Sequence, residues 1–246
     1  MNGYDHVSKW YDSLVNDKGH YYHANIIIPR VVKLLQNKKS ILDLACGQGV
    51  LQRSLDKNIE YLGVDIANQM IQKANYYNKN KKHVFLTKDL SKIVEFEKKD
   101  FEAACIILSL QDMQNPLNLL KNAASHLVKG GLLLIVLNHP CFRVPRQSYW
   151  QIDTQKNMQY RRIDMYMSNM QVPISVSYNK SRFDKSVTAH HFPIKDLSEY
   201  LYEAGFLIEK IDEWISDKES SGAKAKMENR SRQEIPLFMA ISAVKK

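Results

Sequence analysis

Two glycines and two carboxylates near the start of the chain could form a site for a nucleoside-containing ligand. Gly47 and Gly49 follow the apolar run at residues 40–45, and because glycine has no Cβ, a ligand can approach the backbone closely at such a turn. Asp43 precedes the turn and could hold a cationic amine. Asp65 ends the next apolar run, where its carboxylate could accept hydrogen bonds from both hydroxyls of a ribose.

A dinucleotide-binding turn has similar glycines, but its G-x-G-x-x-G pattern needs a third small residue so that the helix can pack closely on the sheet. The corresponding position here is occupied by Gln52. The dinucleotide pattern also lacks an aspartate four residues before its first glycine, where this chain has Asp43. A nicotinamide cofactor is therefore disfavoured. A glycine-rich turn without a ligand is disfavoured too, because both acids belong to predicted strands.

Arginine side chains are concentrated in one part of the chain, where five of nine fall between residues 143 and 182. A guanidinium group binds a carboxylate or phosphate through two parallel hydrogen bonds, which lysine does less well. Aromatic side chains in the same segment could stack on a planar substrate. The alternative is that these arginines pair with neighbouring aspartates and that the aromatic residues form a small core. The candidate substrate-binding residues are Arg143, Arg146, Arg162, Tyr166 and His190.

The elements that position these residues are strands alternating with helices. Apolar runs predict strands at residues 40–45, 60–65, 84–86, 101–110, 132–137, 206–214 and 235–244. Helical spacing predicts helices at residues 20–35, 50–55, 67–77 and 116–128, the last ending at a Lys-Gly-Gly stop signal, and from residue 194. This alternation indicates an α/β fold whose sheet is mostly parallel and covered on both faces.

One connection breaks the regular alternation. Fifty-six residues, from Asn138 to Pro193, separate the fifth predicted strand from the next helix. Such connections usually have about two to six residues. Alternating apolar residues within it predict short strands or a hairpin. Since long connections at the carboxyl edge of a parallel sheet are where binding loops and lids lie, we expect a substrate lid at residues 138–193.

The basic charge of the chain does not by itself indicate a nucleic-acid partner. The net charge of +9 divides almost evenly, with +4 in residues 1–123 and +5 in residues 124–246. No apolar run approaches the ~18 residues that a membrane span needs. Three widely spaced cysteines argue against a disulfide framework or a zinc site and suit a reducing, cytoplasmic location. We expect a small-molecule substrate, no metal and no membrane contact.

At these motifs the chain resembles the class I S-adenosylmethionine-dependent methyltransferases. The similarity rests on the turn Asp43-Leu-Ala-Cys-Gly-Gln-Gly49, the strand end Gly63-Val-Asp65, Asp89 after the third strand, and Lys129-Gly-Gly131 before the fifth. It covers residues 40–137 well and the last two strands more loosely. The sequence Asn138-His-Pro-Cys-Phe-Arg143 is similar to one found after the fifth strand in bacterial small-molecule methyltransferase-like proteins.

The resemblance implies a fold for the whole chain. It is a Rossmann-like sheet of seven strands, mostly parallel with an antiparallel last strand, and with helices on both faces. One domain would then use residues 1–246. Its parts would be an N-terminal helical cover (1–36), a cofactor-binding core (37–137), a substrate lid inserted after strand five (138–193) and the end of the sheet (194–246).

The resemblance also implies S-adenosylmethionine as the cofactor and assigns residues to its parts. The first turn would bind the methionine end, the acid of the second strand the ribose, and residues after the third strand the adenine. The implied cofactor-binding residues are Asp43, Ala45, Gly47, Gln48 and Gly49 at the first turn, Asp65, Ile66 and Met70 near the ribose, Lys88, Asp89 and Leu90 near the adenine, Leu108 beneath the cofactor and Tyr11 above it.

Methyl transfer needs a base only where the acceptor must lose a proton, and three residues are catalytic candidates. His139 leaves the fifth strand where the methyl group should point, although it could instead be a turn histidine that bonds the local backbone. Asp112, just past the fourth strand, could be a base or a helix cap. His191 could face the same pocket or be a structural residue.

We therefore expect a methyltransferase that acts by in-line methyl transfer on a small, anionic or aromatic molecule held under the lid. An RNA or protein methyltransferase is the first alternative, and it predicts a continuous positive face and salt-sensitive binding. The second alternative is a non-catalytic S-adenosylmethionine-binding protein, which predicts no cavity beyond the methyl group.

Overall fold

The computed structural model describes residues 19–175 and 186–246. Within them the strands are β1 Ser40–Leu44, β2 Glu60–Asp65, β3 His83–Thr87, β4 Phe101–Ile107, β5 Leu127–Asn138, β6 Ser148–Asp153, β7 Met158–Ile163, β8 Met170–Ser175, β9 Ser186–His191, β10 Phe206–Trp214 and β11 Phe238–Lys245. The helices are a π-helical turn at His23–Ile27, α1 Ile28–Leu34, α2 Asn68–Tyr77, α3 Leu117–His126, α4 Ile194–Glu203 and α5 Ala225–Glu234.

Seven strands form the central sheet, in the order β10-β11-β5-β4-β1-β2-β3. β11 runs antiparallel to both of its neighbours, whereas the pairs among β1 to β5 are parallel. The predicted seven-stranded sheet with an antiparallel last strand is therefore confirmed. The chain extends the sheet from β1 towards β3 and then returns to the other side of β1 with β4. Such a reversal of direction opens a crevice at the carboxyl ends of the strands.

Hydrophobic residues on the two faces of the sheet form two cores. β1 is buried along its whole length. Leu42 of β1 belongs to the core that includes Leu119 of α3 and Leu197 of α4. Ile41 belongs to the core on the other face, with residues of α1 and α2 such as Val31. Helices therefore cover both faces, as a parallel sheet requires.

The insertion at residues 138–193 contains two antiparallel pairs of short strands, as its alternation predicts. β6 pairs with β7, and β8 pairs with β9. α5, from the C-terminal part of the chain, contacts β7. Residues 176–185 of the insertion lie outside the described residues.

Two predicted helices differ in the structure. The helix predicted at residues 50–55 is wrong, because only a 3₁₀ turn forms there, at Gln52–Ser54. The helix predicted at residues 116–128 ends at His126, and β5 begins at the next residue, Leu127. Leu127 is buried and pairs with Phe101 of β4, so tertiary packing ends the helix before the Lys-Gly-Gly signal.

The N-terminal part of the chain is described from residue 19 onwards, so Tyr11 and most of the predicted helical cover lie outside the described residues. Pro29 lies in the first turn of α1, where its missing N–H costs no helical hydrogen bond. No helix in the described ranges has the length and apolar composition to cross a membrane.

Candidate functional site

A cavity of about 1010 Å³ lies at the carboxyl edge of the central sheet. Its wall includes residues that directly follow or end the parallel strands: Ala45 after β1, Ile66 after β2, Leu108 after β4 and Asn138 at the end of β5. The cavity therefore occupies the crevice that the reversal of strand order opens.

Two residues at this edge have left-handed backbone conformations. Ala45 has φ of +59° and Leu108 has φ of +53°. Non-glycine residues rarely adopt such angles, which cost about 1–3 kcal/mol and occur mainly at functional sites. The residues next to them still hydrogen-bond to the sheet, since the Cys46 N–H donates to the Val64 carbonyl at 3.0 Å. The two residues turn the chain away from β1 and β4, so that the following loops line the cavity.

The two glycines of the first turn have different surroundings. Gly47 has φ of +55° and lines the cavity, and a Cβ added there would meet no atom within 4 Å. Gly49 has φ of +72°, and its Cβ would lie 2.9 Å from the ring of Phe85 on β3. Gly47 therefore leaves space open beside the cavity, whereas Gly49 allows the turn to pack on the sheet.

The Asp43 carboxylate is held inside the sheet edge by a tyrosine that sequence analysis missed. The Tyr61 hydroxyl donates to Asp43 Oδ2 at 2.6 Å, and both residues are buried. Burial raises the pKa of Asp43 to about 7, the Tyr61 hydrogen bond lowers it, and the Asp65 charge raises it. Asp43 can therefore change its charge near neutral pH.

The Asp65 carboxylate joins the loops that follow β1 and β2. Its Oδ2 accepts a hydrogen bond from the Gly47 N–H at 2.8 Å, and its Oδ1 accepts one from the Ala67 N–H at 2.8 Å. These two backbone donors fix the orientation of the carboxylate at the cavity wall.

Most of the other predicted cofactor-binding residues also line the cavity. Lys88 and Gly49 do not belong to its wall, and Tyr11 lies outside the described residues. A hydrogen bond from the Ser91 hydroxyl lowers the pKa of Asp89. The wall contains Asp43, Ala45, Gly47, Gln48, Asp65, Ile66, Met70, Asp89, Leu90 and Leu108.

Of the three predicted catalytic residues, the structure places Asp112 at the cavity wall. His139 is buried and does not belong to the cavity wall; its Nε2 lies 2.7 Å from Glu213 Oε1 on β10, and its Nδ1 accepts a hydrogen bond from the Cys141 N–H. Burial lowers the pKa of His139, and Glu213 partly opposes this change. The Nε2 of His191 is hydrogen-bonded to the Tyr166 carbonyl at 2.7 Å.

Of the five predicted substrate-binding residues, Arg143 lines the cavity. Arg146 donates to the Pro173 carbonyl, and Arg162 lies over the ring of Tyr149 at 5.7 Å. Tyr166 accepts a hydrogen bond from the Ile194 N–H through its hydroxyl. His190 stacks on Phe192 and bonds the backbone of Gln111.

Further polar residues of the wall were not among the predicted site residues. His23, Ser109 and Gln111 line the cavity, and each has a buried polar side-chain atom without a hydrogen-bond partner in the part of the chain that the structure describes. Burial lowers the pKa of His23 to about 4. Buried polar atoms are almost always hydrogen-bonded in proteins, so these atoms are available to polar groups of a ligand or to water. The position of Ser109 and Gln111 just after β4 was the signal that could have identified them.

Within residues 19–175 and 186–246, no group of three or more His, Cys, Asp or Glu side chains is placed to hold a metal ion.

The chain is similar in sequence and fold to methyltransferases. A family model described as a methyltransferase domain matches residues 19–211. YqeM of Bacillus subtilis (strain 168), which carries the name of a methyltransferase, is 23% identical over 244 residues, covering 91% of this chain and 88% of that protein. An S-adenosylmethionine-dependent methyltransferase from Mesorhizobium loti superposes with a TM-score of 0.67 at 22% identity, covering 88% of this chain and 96% of that chain.

A second similar structure is a chain of the complex between the Haloferax volcanii Trm112 methyltransferase activator and a methyltransferase. It superposes with a TM-score of 0.65 at 14% identity and covers 99% of this chain and 97% of that chain. At these identities the two superpositions show a shared fold.

Proposed function

This chain belongs to the family of S-adenosylmethionine-dependent methyltransferases, and we propose that it methylates a small molecule enclosed in the cavity above the sheet. S-adenosylmethionine supplies an activated methyl group: the electron pair of the acceptor atom forms the new bond to carbon while the carbon–sulfur bond breaks and its pair stays on sulfur. The protein's part is to bind both molecules and to align the acceptor atom.

The residues at the ends of β1, β2 and β3 fit this cofactor. A Cβ at Gly47 would project into open space beside the cavity, so the turn leaves room for a ligand against the backbone. In our proposal Asp43 and Gly47 hold the methionine end, Asp65 holds the ribose, and Asp89 borders the adenine. The carboxylate of Asp65 is already oriented for this task by its two backbone hydrogen bonds.

The cavity is large enough for a second small molecule, and this observation carries the proposal. Its volume of about 1010 Å³ is at the upper end of the range of about 300–1,000 Å³ that small-molecule sites occupy. Its wall continues past β4 to Asn138 and Phe238, and residues of the insertion such as Val187 and Thr188 form part of it. A protein that only bound the cofactor would need no such extension.

Asp112 is our choice for the group that accepts a proton when the acceptor is a hydroxyl or another acid. It lies at the cavity wall just after β4, between the cofactor residues and the end of β5. The contacts of His139 with Glu213 and of His191 with Tyr166 support structural roles for those histidines.

The three cysteines are free thiols, which supports our assignment of the activity to the cytosol.

The proposal is tested by incubating the purified protein with methyl-labelled S-adenosylmethionine and three separate fractions of a cell extract: small molecules, total RNA and total protein. We expect label in the small-molecule fraction. Asp65→Asn should reduce the labelling at least tenfold by weakening cofactor binding, because the amide keeps the shape of the side chain but lacks its charge.

Asp56→Asn is the matched control, since Asp56 is an exposed residue away from the cavity. Label that appears only in RNA or in protein would contradict a small-molecule acceptor. Calorimetric binding of the cofactor without label in any fraction would instead support the non-catalytic alternative.

A further inference from the structure

Charge is distributed unevenly along the cavity wall. Asp43 and Asp65 lie in β1 and β2, on one side of the wall. Arg143 lines the other side together with Asn138 of β5 and Phe238 of β11. In the strand order, β5 and β11 lie on the opposite side of β1 from β2. The cavity therefore has acidic residues, Asp43 and Asp65, at the end proposed to hold the cofactor. Arg143 lies at the opposite end of the cavity.

The Arg143 guanidinium has no carboxylate partner in the described part of the chain, where the ion pairs join other residues. Burial lowers the pKa of Arg143, but an arginine side chain stays charged in proteins. Burial lowers the pKa of Arg161 and the Arg143 charge lowers it further, so two cations lie close together. Arg143 is an exposed residue of the cavity wall, so its guanidinium is accessible to an anionic ligand group, which would offset the repulsion between the two cations.

The neighbouring arginines are engaged in holding the insertion. Arg161 donates to the Phe142 carbonyl at 2.8 Å and to the Ser148 hydroxyl at 2.8 Å. Arg146 donates to the Pro173 carbonyl. Among the arginines of the cluster that the structure describes, Arg143 is the one that lines the cavity.

A rigid turn fixes the position of Arg143. Its N–H donates to the His139 carbonyl at 2.8 Å, and the N–H of Phe142 donates to the same oxygen at 3.2 Å. The His139 side chain is held in turn by Glu213 and packs on the ring of Phe142, with ring centroids 4.7 Å apart. The turn thus fixes the backbone from which the Arg143 side chain reaches the cavity wall.

We propose that the methyl acceptor is an acidic small molecule whose carboxylate or phosphate group is bound by Arg143. This inference rests on the proposed function. The methylated atom is a different nucleophile of the same molecule, so the product keeps its negative charge. S-adenosylmethionine also carries a carboxylate, and an oxyanion on Arg143 could come from either molecule, so the experiment separates the two sources.

The first arm identifies the charge of the product. The small-molecule fraction labelled by the wild-type protein is applied to an anion-exchange column at pH 8. We expect the labelled product to be retained and to elute with salt. A labelled product that passes through the column would overturn the inference while leaving the proposed function intact, whereas absence of label would mean that the proposed function itself fails.

The second arm measures the effect of Arg143 on that product. Arg143→Met should lower kcat/KM for the labelled acceptor roughly 30-fold or more, as expected for loss of one partner of a hydrogen-bonded ion pair. Arg143→Lys should recover part of the loss, because it restores the charge without the planar fork. Arg230→Met is the matched control, since Arg230 is an exposed residue of α5 away from the cavity.

The third arm assigns the oxyanion by calorimetry with S-adenosylhomocysteine and with 5′-methylthioadenosine, which lacks the amino-acid end. We expect Arg143→Met to bind both within twofold of the wild type, which also shows that the variant is folded. Weaker binding of S-adenosylhomocysteine with unchanged binding of 5′-methylthioadenosine would place the cofactor carboxylate on Arg143 and overturn the inference. Unchanged kcat/KM in Arg143→Met would overturn it as well.

Discussion

A hydrogen bond between neighbouring strands influences the charge of the acid at the first turn. The Tyr61 hydroxyl and the Asp43 carboxylate are 2.6 Å apart, and the residues are only 1% and 2% exposed. Burial raises the pKa of Asp43 to about 7, while the hydrogen bond from Tyr61 opposes that rise. Tyr61 therefore favours the ionised form that a cationic ligand group would bind.

We predict that Tyr61→Phe weakens the binding of S-adenosylhomocysteine about fivefold at pH 7, because a further rise of the Asp43 pKa by about one unit lowers the ionised fraction about fivefold. Affinity should recover as the pH is raised towards 9, since Asp43 then loses its proton. Calorimetric titrations between pH 6 and 9 measure the effect, with Tyr76→Phe at an exposed tyrosine as the control. If the affinity of Tyr61→Phe had the same pH profile as that of the wild type, Tyr61 would contribute packing and would not influence the charge of Asp43.

The residues of the first turn could be found from sequence because they are close together along the chain. The contacts of Tyr61 with Asp43 and of His139 with Glu213 join residues 18 and 74 positions apart. They depend on strand register and on which strands are neighbours, which a local pattern does not contain. For the same reason, the sequence could not show that the His139 side chain faces β10 while Asp112 lines the cavity.

Among the secondary-structure elements, the turn after β1 combines a binding surface with a packing contact, and two substitutions separate them. Gly47→Ala should cost about 1–2 kcal/mol of stability from its positive φ, and should weaken S-adenosylhomocysteine binding more than tenfold because its Cβ enters the space beside the cavity. Gly49→Ala should cost about 3 kcal/mol or more, because its Cβ also collides with Phe85.

Urea unfolding and calorimetry measure these two effects. Gly222→Ala is the control for backbone strain, since Gly222 has φ of +87°, open space around its Cβ and a position away from the cavity. Equal losses of affinity in Gly47→Ala and Gly222→Ala would mean that Gly47 has no contact with the ligand.

The strands of the sheet were largely predictable and some of the helices were not. β1, β2 and the second half of β5 are buried on both faces, so they read as apolar runs with clear ends. α5 is mostly polar and rests on β7, so no apolar periodicity indicated it. Only a short turn forms at Gln52–Ser54, where a helix was predicted, and it follows the loop in which Gly49 packs on Phe85.

At the scale of the whole molecule, buried histidines make the folding stability depend on pH. Burial lowers the pKa of His23 to about 4, and it also lowers the pKa of His139, His190 and His191. The unfolded chain takes up these protons near pH 6.5, whereas the folded protein resists them until a lower pH. These histidines therefore lower the folding stability as the pH falls below 6.5. Asp43 acts in the opposite sense, because its raised pKa favours the folded state below pH 7.

We predict that His23 lowers the free energy of unfolding by about 2 kcal/mol between pH 7 and pH 5, and that Asp43 opposes it with a contribution of similar size. In urea titrations at pH 5, 6 and 7, the change in the free energy of unfolding from pH 7 to pH 5 should therefore be about 2 kcal/mol more positive in His23→Gln than in the wild type. In Asp43→Asn the same change should be more negative than in the wild type, since the opposing group is removed. Parallel curves for His23→Gln and the wild type would contradict the pKa assignment of His23.

The pairing of β5 with β11 has a consequence for the synthesis of the protein. Asn138 pairs with Phe238, so strands that are neighbours in the sheet come from positions 100 residues apart in the chain. A nascent chain therefore exposes the edge of β5 until β11 has been synthesised. An exposed strand edge can pair with a strand of another chain, which leads to aggregation. Phe238 also forms part of the cavity wall, so the site is completed only when nearly all of these residues have been translated.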